Sequence, residues 1–255
     1  MAGTSPGRQR ETPRRHPGRM RYNRGMCGRF TQRFSWRELH ALLDLAGPAA
    51  NLRPRYNVAP GQTVAAVRAD GGVRRLAMLR WGLIPSWAKD ARIAYKLINA
   101  RSETAGEKPS FRAAMRARRC LIPADGFYEW TRRGTVRQPW LIAREDGAPF
   151  VFAGLWERWT VPRGAVLTGS LAELRPGEAI ETCTVLTAAA NQALAPLHHR
   201  MPVILAPDSF DPWLRGEAVP LGPAPSDGIV FHPVSTLVNK PANDDPRCIE
   251  PAAPP

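Results

Sequence analysis

Hydrophobic and polar positions recur with two different periods along this chain, and the periods place its elements. Over residues 35–45 the apolar positions Leu39, Leu42 and Leu43 fall on one face of a helical repeat, with Ser35 as N-cap and Glu38 three residues later. Ser and Glu at that spacing form a capping box, so an amphipathic helix is expected there. Residues 53–61, rich in Pro and Asn, are expected to form a loop. Apolar stretches at 64–67 and 73–81 flank Asp70-Gly71-Gly72 and predict a β-hairpin. Residues 102–119 read as partly helical, with Phe111 and Met115 on one face and Arg112, Arg116 and Arg119 on the other. Further strands are expected at 120–123, 126–131, 140–143, 150–156, 181–186, 202–205 and 229–233, and a short helix at 208–214. Strands dominate, are short and do not alternate regularly with helices. The expected fold is therefore α+β, a single domain of mostly antiparallel sheet tending to a barrel, with flanking helices. No internal repeat is visible.

The ends differ from this pattern. Residues 1–25 are Arg, Pro, Gly, Ser and Thr with almost nothing apolar, a composition that cannot offset its ordering entropy, so disorder is expected there. The folded domain is expected over 26–241 and a flexible tail over 242–255. No stretch approaches the ~18 uninterrupted apolar residues a membrane span needs, and no apolar segment follows the Arg-rich start as in a signal peptide. A soluble, cytoplasmic protein is expected.

Charge adds a partner class. The formal net charge is +14, from 36 basic and 22 acidic residues. Seven Arg against one Glu place +6 of it in residues 1–25 and leave +8 on the remainder. That surplus favours a polyanionic partner, because Lys and Arg contacts to phosphate release counterions. The cysteines, Cys27, Cys120, Cys183 and Cys248, lie 93, 63 and 65 residues apart and show no metal-binding spacing. Cys120, Cys183 and Cys248 are expected as buried small hydrophobes. No phosphate-binding Gly loop or ligand cluster appears, so no cofactor and no metal are expected.

Cys27, in Met26-Cys27-Gly28-Arg29-Phe30, has a different setting. With everything before it gone, it carries two nucleophiles on one carbon framework. Its α-amine, with a pKa of about 8, is far more neutral near pH 7 than a lysine amine. A neutral amine forms a Schiff base with an aldehyde, and the neighbouring thiol can close onto the imine carbon to give a thiazolidine. The ring-opened sugar of an abasic site offers such an aldehyde. Three further segments offer polar groups in apolar settings: Asn99-Ala100-Arg101-Ser102-Glu103, Gly126-Phe127-Tyr128-Glu129-Trp130 and His198-His199-Arg200-Met201-Pro202. A buried Glu is paired or functional, and a raised pKa suits proton transfer. Singly, each also reads as a salt-bridged Glu, a satisfied structural His or a loop Asn.

Together with Tyr56-Asn57-Val58-Ala59-Pro60, Trp81-Gly82-Leu83-Ile84-Pro85-Ser86-Trp87 and Thr187-Ala188-Ala189-Ala190-Asn191, these motifs resemble, in order, the SOS-response-associated peptidase (SRAP) family, from Met26 to about Pro241. Members of that family shield abasic sites in single-stranded DNA. The resemblance implies that Cys27 forms the thiazolidine crosslink. It implies that Asn99 holds the N-terminal residue or opened sugar, that Glu129 acts as acid and base, and that His198 assists ring opening and reversal. Arg29, Arg101 and Arg200 are implied as phosphate contacts, as a guanidinium fork suits that geometry. Pro60, Trp81 and Thr187 are implied to line a surface that stacks on or orients flanking nucleotides, while Trp87 reads equally as core or contact. The implied partner is single-stranded DNA containing abasic sites, met by a monomer that joins the nucleoid when bound.

One departure matters: 25 residues precede Met26. An amide-linked Cys27 has no α-amine, so the chemistry requires either translation from Met26 or removal of the extension. The rival readings are a thiol peptidase using Cys27 with His198, acting on itself or on other proteins, and a non-covalent single-strand binder.

Overall fold

The computed structural model describes residues 27–252 apart from residue 134, with the backbone alone at 133 and 136. Residues 1–25, expected to be disordered, lie outside the described residues. In chain order the strands are β1 (Phe30–Gln32), β2 (Arg55–Val58), β3 (Thr63–Asp70), β4 (Val73–Trp81), β5 (Asn99–Arg101) and β6 (Arg119–Ala124). They continue as β7 (Gly126–Arg133), β8 (Val136–Arg144), β9 (Phe150–Thr160), β10 (Ala179–Ala189), β11 (Arg200–Pro202) and β12 (Ile229–Pro233). The helices α1 (Trp36–Leu43), α2 (Arg112–Ala117) and α3 (Phe210–Leu214) are short, as are the 3-10 turns, among them Ala91–Lys96 and Pro246–Cys248.

Local chemistry explains where elements begin and turn. Ser35 caps α1 with the full capping box: its hydroxyl accepts from the Glu38 N–H, and the Glu38 carboxylate accepts from the Ser35 N–H. Leu39 and Leu43 then face the core. In the β3–β4 hairpin Asp70 pairs with Val73, which leaves Gly71 and Gly72 as a two-residue loop with φ of 59° and 83°. Two consecutive left-handed residues match the right-handed twist of the strands, which is why glycines sit there.

The pairings close a barrel. β10 pairs β4 in parallel, β4 pairs β3, β3 pairs β6, β6 pairs β9, and β9 returns to β10. Beyond the barrel β10 continues, taking β5 in parallel on one edge and β11 on the other. A second sheet, in the order β12-β8-β7-β1-β2, covers one side. Aromatic rings join the two layers: Phe30 of β1 lies 4.7 Å from Trp81 of β4, and Phe127 of β7 packs edge-on to Phe152 of β9 at 5.9 Å. The fold is mostly antiparallel with a closed five-strand barrel, a single domain as expected.

Four local expectations differ. Within 53–61, Arg55–Val58 is a strand, because β1 offers it a partner in the pairs Phe30–Val58 and Gln32–Arg55. Of 102–119 only α2 is helical; the preceding stretch is a run of turns. The strand expected at 202–205 is shifted to β11, with Ile204 making an isolated bridge to Phe152. The 242–255 stretch is packed as far as residue 252. Asp244 accepts from the Tyr56 and Asn57 N–H groups and pairs with Arg55, Cys248 is fully buried, and Pro251 bridges to Val234. Among the described residues no helix is long and apolar enough to cross a membrane.

Candidate active site

The pairing of β1 with β7 places Cys27 beside Glu129. Phe30 lies opposite Phe127, and the Tyr128 N–H donates to the Arg29 carbonyl. Continuing that antiparallel register brings the residues before β1 alongside Glu129. Side chains on a strand alternate, so Glu129 shares a face with Phe127, in the core between the layers, while Tyr128 and Trp130 pack on the opposite side. Glu129 is therefore carried into an apolar interior by its neighbours, and burial pushes its carboxyl pKa up to about 8. The Cys27 thiol and main chain, the Arg137 charge and the Trp130 N–H each act weakly in the other direction. The Cys27 thiol is in turn held well above its ordinary value, first by burial and then by Glu129.

Asn99 opens β5 and donates from Nδ2 to the Cys27 carbonyl at 2.9 Å. The segment before it, Ala91–Lys96, is a 3-10 turn; β5 itself is the strand, with Asn99 opposite Val185 of β10. His198 ends a turn closed by its own N–H donating to the Leu194 carbonyl at 3.0 Å. Its Nδ1 accepts from the Arg200 N–H at 3.1 Å and lies 3.8 Å from Glu129 Oε1. Cys27, Asn99, Glu129 and His198 are each at most 5% exposed. The structure thus joins the four, drawn from separate parts of the chain, through a sequence of contacts. Among the described residues, three of their polar atoms are buried without a hydrogen-bond partner: Asn99 Oδ1, Glu129 Oε1 and His198 Nε2. Such atoms cost about 1–3 kcal/mol each when nothing meets them, and they mark where a polar reactant belongs.

The residues expected to contact DNA divide. Arg101 is exposed and Pro60 half-buried. Arg29 is committed inward, with Nη1 donating to Asn57 Oδ1 and to the Val238 carbonyl, both at 2.7 Å. Arg200 grips Glu103 with both Nη atoms, at 2.6 and 2.8 Å, and also meets the Thr187 carbonyl. Thr187 is fully buried between β5 and β11. Trp81 corrects the sequence-based expectation most clearly. It is 1% exposed, and its indole N–H donates to the Ile98 carbonyl at 2.8 Å. No nucleotide can stack on that ring; it supports the residue before Asn99. The most exposed aromatic rings among the described residues are Trp87, 59% exposed, and Tyr95, 53% exposed, with Lys89, Arg92 and Lys96 around Trp87. Nothing in the local sequence distinguished Tyr95.

An apolar groove of about 440 Å³ between Phe150, Leu205, Pro207 and Ile229 lies elsewhere and contains none of the four residues. Among the described residues, none of the groups lining it is a buried polar atom without a partner.

A five-strand barrel covered by a second sheet, with a cysteine just ahead of β1 in that sheet and beside a buried Asn, Glu and His, defines the class. The sequence pattern of the family described as SOS response associated peptidase (SRAP) matches residues 26–241, and the chain belongs to that family. It is 40% identical over 235 residues to the abasic site processing protein YoqW of Bacillus subtilis, covering 88% of this chain and 99% of the relative. To the abasic site processing protein HMCES of Gallus gallus it is 34% identical over 235 residues, covering 78% and 66%. A solved structure from Bacteroides thetaiotaomicron shares the fold with a TM-score of 0.75 at 24% identity, covering 89% of this chain and all of that one. Another from Bordetella bronchiseptica gives 0.66 at 30% identity, covering 82% and 100%.

Proposed function

We propose that this protein processes abasic sites in single-stranded DNA by capturing the opened sugar on Cys27. The observation that carries this reading is the set of unpartnered buried atoms, Asn99 Oδ1, Glu129 Oε1 and His198 Nε2, gathered around the Cys27 main chain. They match the groups the reaction needs. With its α-amine free, Cys27 attacks the C1′ aldehyde to give a carbinolamine, which loses water to become an imine. Glu129, protonated below about pH 8 because it is buried, supplies the proton for that water. Its carboxylate then accepts the thiol proton as sulfur bonds to the carbon of the protonated imine; the C=N electron pair returns to nitrogen as the ring closes, and Glu129 ends protonated as it began. Asn99 holds the residue through its carbonyl, and His198 serves the proton transfers of sugar opening and reversal. Arg101 and the exposed Trp87 and Tyr95 offer a path for flanking nucleotides, at about 1–3 kcal/mol per stacked base and without sequence preference. A peptidase reading is favoured less, since a thiol raised by burial and by Glu129 resists the thiolate form such an enzyme uses.

The test is a denaturing gel of protein expressed from Met26 with a single-stranded oligonucleotide bearing one abasic site. A band shift that survives heating, and is lost in Cys27→Ala, is expected. No stable shift from protein shown by mass to begin at Cys27 would overturn the reading.

A further inference from the structure

Beside Cys27, on the opposite face of β4, the structure holds a cation that no acidic side chain among the described residues pairs with. Arg80 precedes Trp81, and strand alternation sends the two side chains to opposite sides: Trp81 into the core near Cys27, Arg80 outward beneath the loop at 59–62. Arg80 is 9% exposed. Its Nε and Nη1 are buried without a hydrogen-bond partner among the described residues. Tyr95, whose hydroxyl bonds the guanidinium, and the buried Cys183 thiol, which stays neutral, lie near it. The acids and bases near it are engaged elsewhere: Glu181 pairs with Arg68 at 2.7 Å, and Arg55 pairs with Asp244. Arg80 makes no ion pair of its own among the described residues. A buried charge is retained at considerable cost unless a counter-charge meets it.

The space above is shaped for one. A cleft of about 640 Å³ opens there; Arg80, Arg55, Gln62, Thr63 and Ser170 line it together with apolar side chains and with Glu181, whose carboxylate is held by Arg68. Gly61 stands at its edge with φ of 87°, and a Cβ there would lie 3.2 Å from Arg80 Nη2, so the loop is kept bare where it crosses the guanidinium. We propose that this cleft is a phosphate-binding site, in which Arg80 supplies the charge and the hydroxyl and amide groups of Ser170, Thr63 and Gln62 complete the cradle. Phosphate fits better than a carboxylate, because it offers more acceptor oxygens to a guanidinium fork and several neutral donors at once. Its source is either the backbone of a nucleic-acid strand or a free phosphate compound. This inference does not depend on covalent capture, since both readouts below use DNA without a lesion or no DNA at all.

The experiment compares the wild type with Arg80→Met and Arg80→Lys. Melting temperature is followed against millimolar inorganic phosphate, at ionic strength held constant with chloride. The wild type is expected to gain roughly 2–5 °C, Arg80→Lys part of that, and Arg80→Met nothing. Without phosphate, Arg80→Met should melt at or above the wild type, which also shows that it folds. In the second arm, anisotropy measures binding of intact single-stranded DNA at several salt concentrations. If the phosphate belongs to the strand, Arg80→Met lowers the salt slope by about 1; an unchanged slope with the thermal response retained assigns a free phosphate compound. An equal phosphate response in wild type and Arg80→Met, or no response in either arm, would overturn the proposal.

Discussion

At the scale of single residues, burial sets the chemistry more than identity does. Glu129 has an ordinary value of 4.5 in an unfolded chain and about 8 here. The folded state therefore binds that proton more tightly, and the cost of ionising the group is absent below pH 4.5, grows between 4.5 and 8, and is complete above 8. Glu129→Gln removes this cost, so its gain in thermal stability is expected to be near zero at acid pH. Above pH 8 the gain should reach on the order of a few kcal/mol. Equal gains across the range would contradict a protonated buried carboxyl. The same group shapes the proposed reaction. The neutral amine accumulates as pH rises through about 8, while protonated Glu129 is lost over the same interval. Capture by protein starting at Cys27 should follow a bell centred near pH 8, and Glu129→Gln should lose the alkaline limb along with much of the rate. Asn99→Ala leaves the Cys27 carbonyl unpaired and should slow capture roughly 10–100-fold, read in a single-turnover time course.

At the scale of elements, the local signals that proved legible were those with a complete mechanism within a few residues. The Ser35–Glu38 box and the Gly71-Gly72 turn each satisfy their own backbone demands, so sequence spacing alone locates them. Ser35→Ala should cost about 0.5–2 kcal/mol in denaturant unfolding and leave capture unchanged, because α1 packs away from Cys27 in another part of the core. Gly82 behaves differently. Its φ is 114°, and a Cβ would come within 2.9 Å of the Ala94 carbonyl, backbone that cannot swing aside. Gly82→Ala should destabilise by about 1–3 kcal/mol and also weaken capture, since the turn it displaces leads into Asn99. Strands were harder to place where a partner had to be supplied from far away. Arg55–Val58 carries Pro and Asn neighbours that read as loop, and only β1 makes it a strand.

At the scale of the whole molecule, the chain's two ends are tied together behind the site. Arg29 reaches the Val238 carbonyl and Asn57, and Asn57 Nδ2 donates to the carbonyls of Val238, Lys240 and Asn243. Cys248 closes the cluster that holds Tyr128 and Trp130, the residues on either side of Glu129. Truncation after residue 241 should therefore cost about 2–5 kcal/mol and depress capture more than binding of intact DNA, because it loosens the strand that carries Glu129. Capture unchanged by truncation, with stability also unchanged, would show that this strap is dispensable.

The sequence by itself determined which residues could react. An N-terminal-type cysteine, an amide, a carboxylate between aromatics and a histidine pair are readable as chemistry, and period-2 alternation shows that Phe127 and Glu129 share a face. It could not say which faces are covered. Trp81, expected at a surface, is adjacent to Arg80 on one strand, yet the layer of β1 and β7 buries the first against Phe30, and the 59–62 loop roofs the second. Arg29 and Arg200 carry forks suited to phosphate, but folding brings Asn57 and Glu103 to them first. Those outcomes rest on contacts between residues from 19 (Gly61 to Arg80) to 209 (Arg29 to Val238) positions apart, and such contacts are decided by how barrel and sheet close on each other.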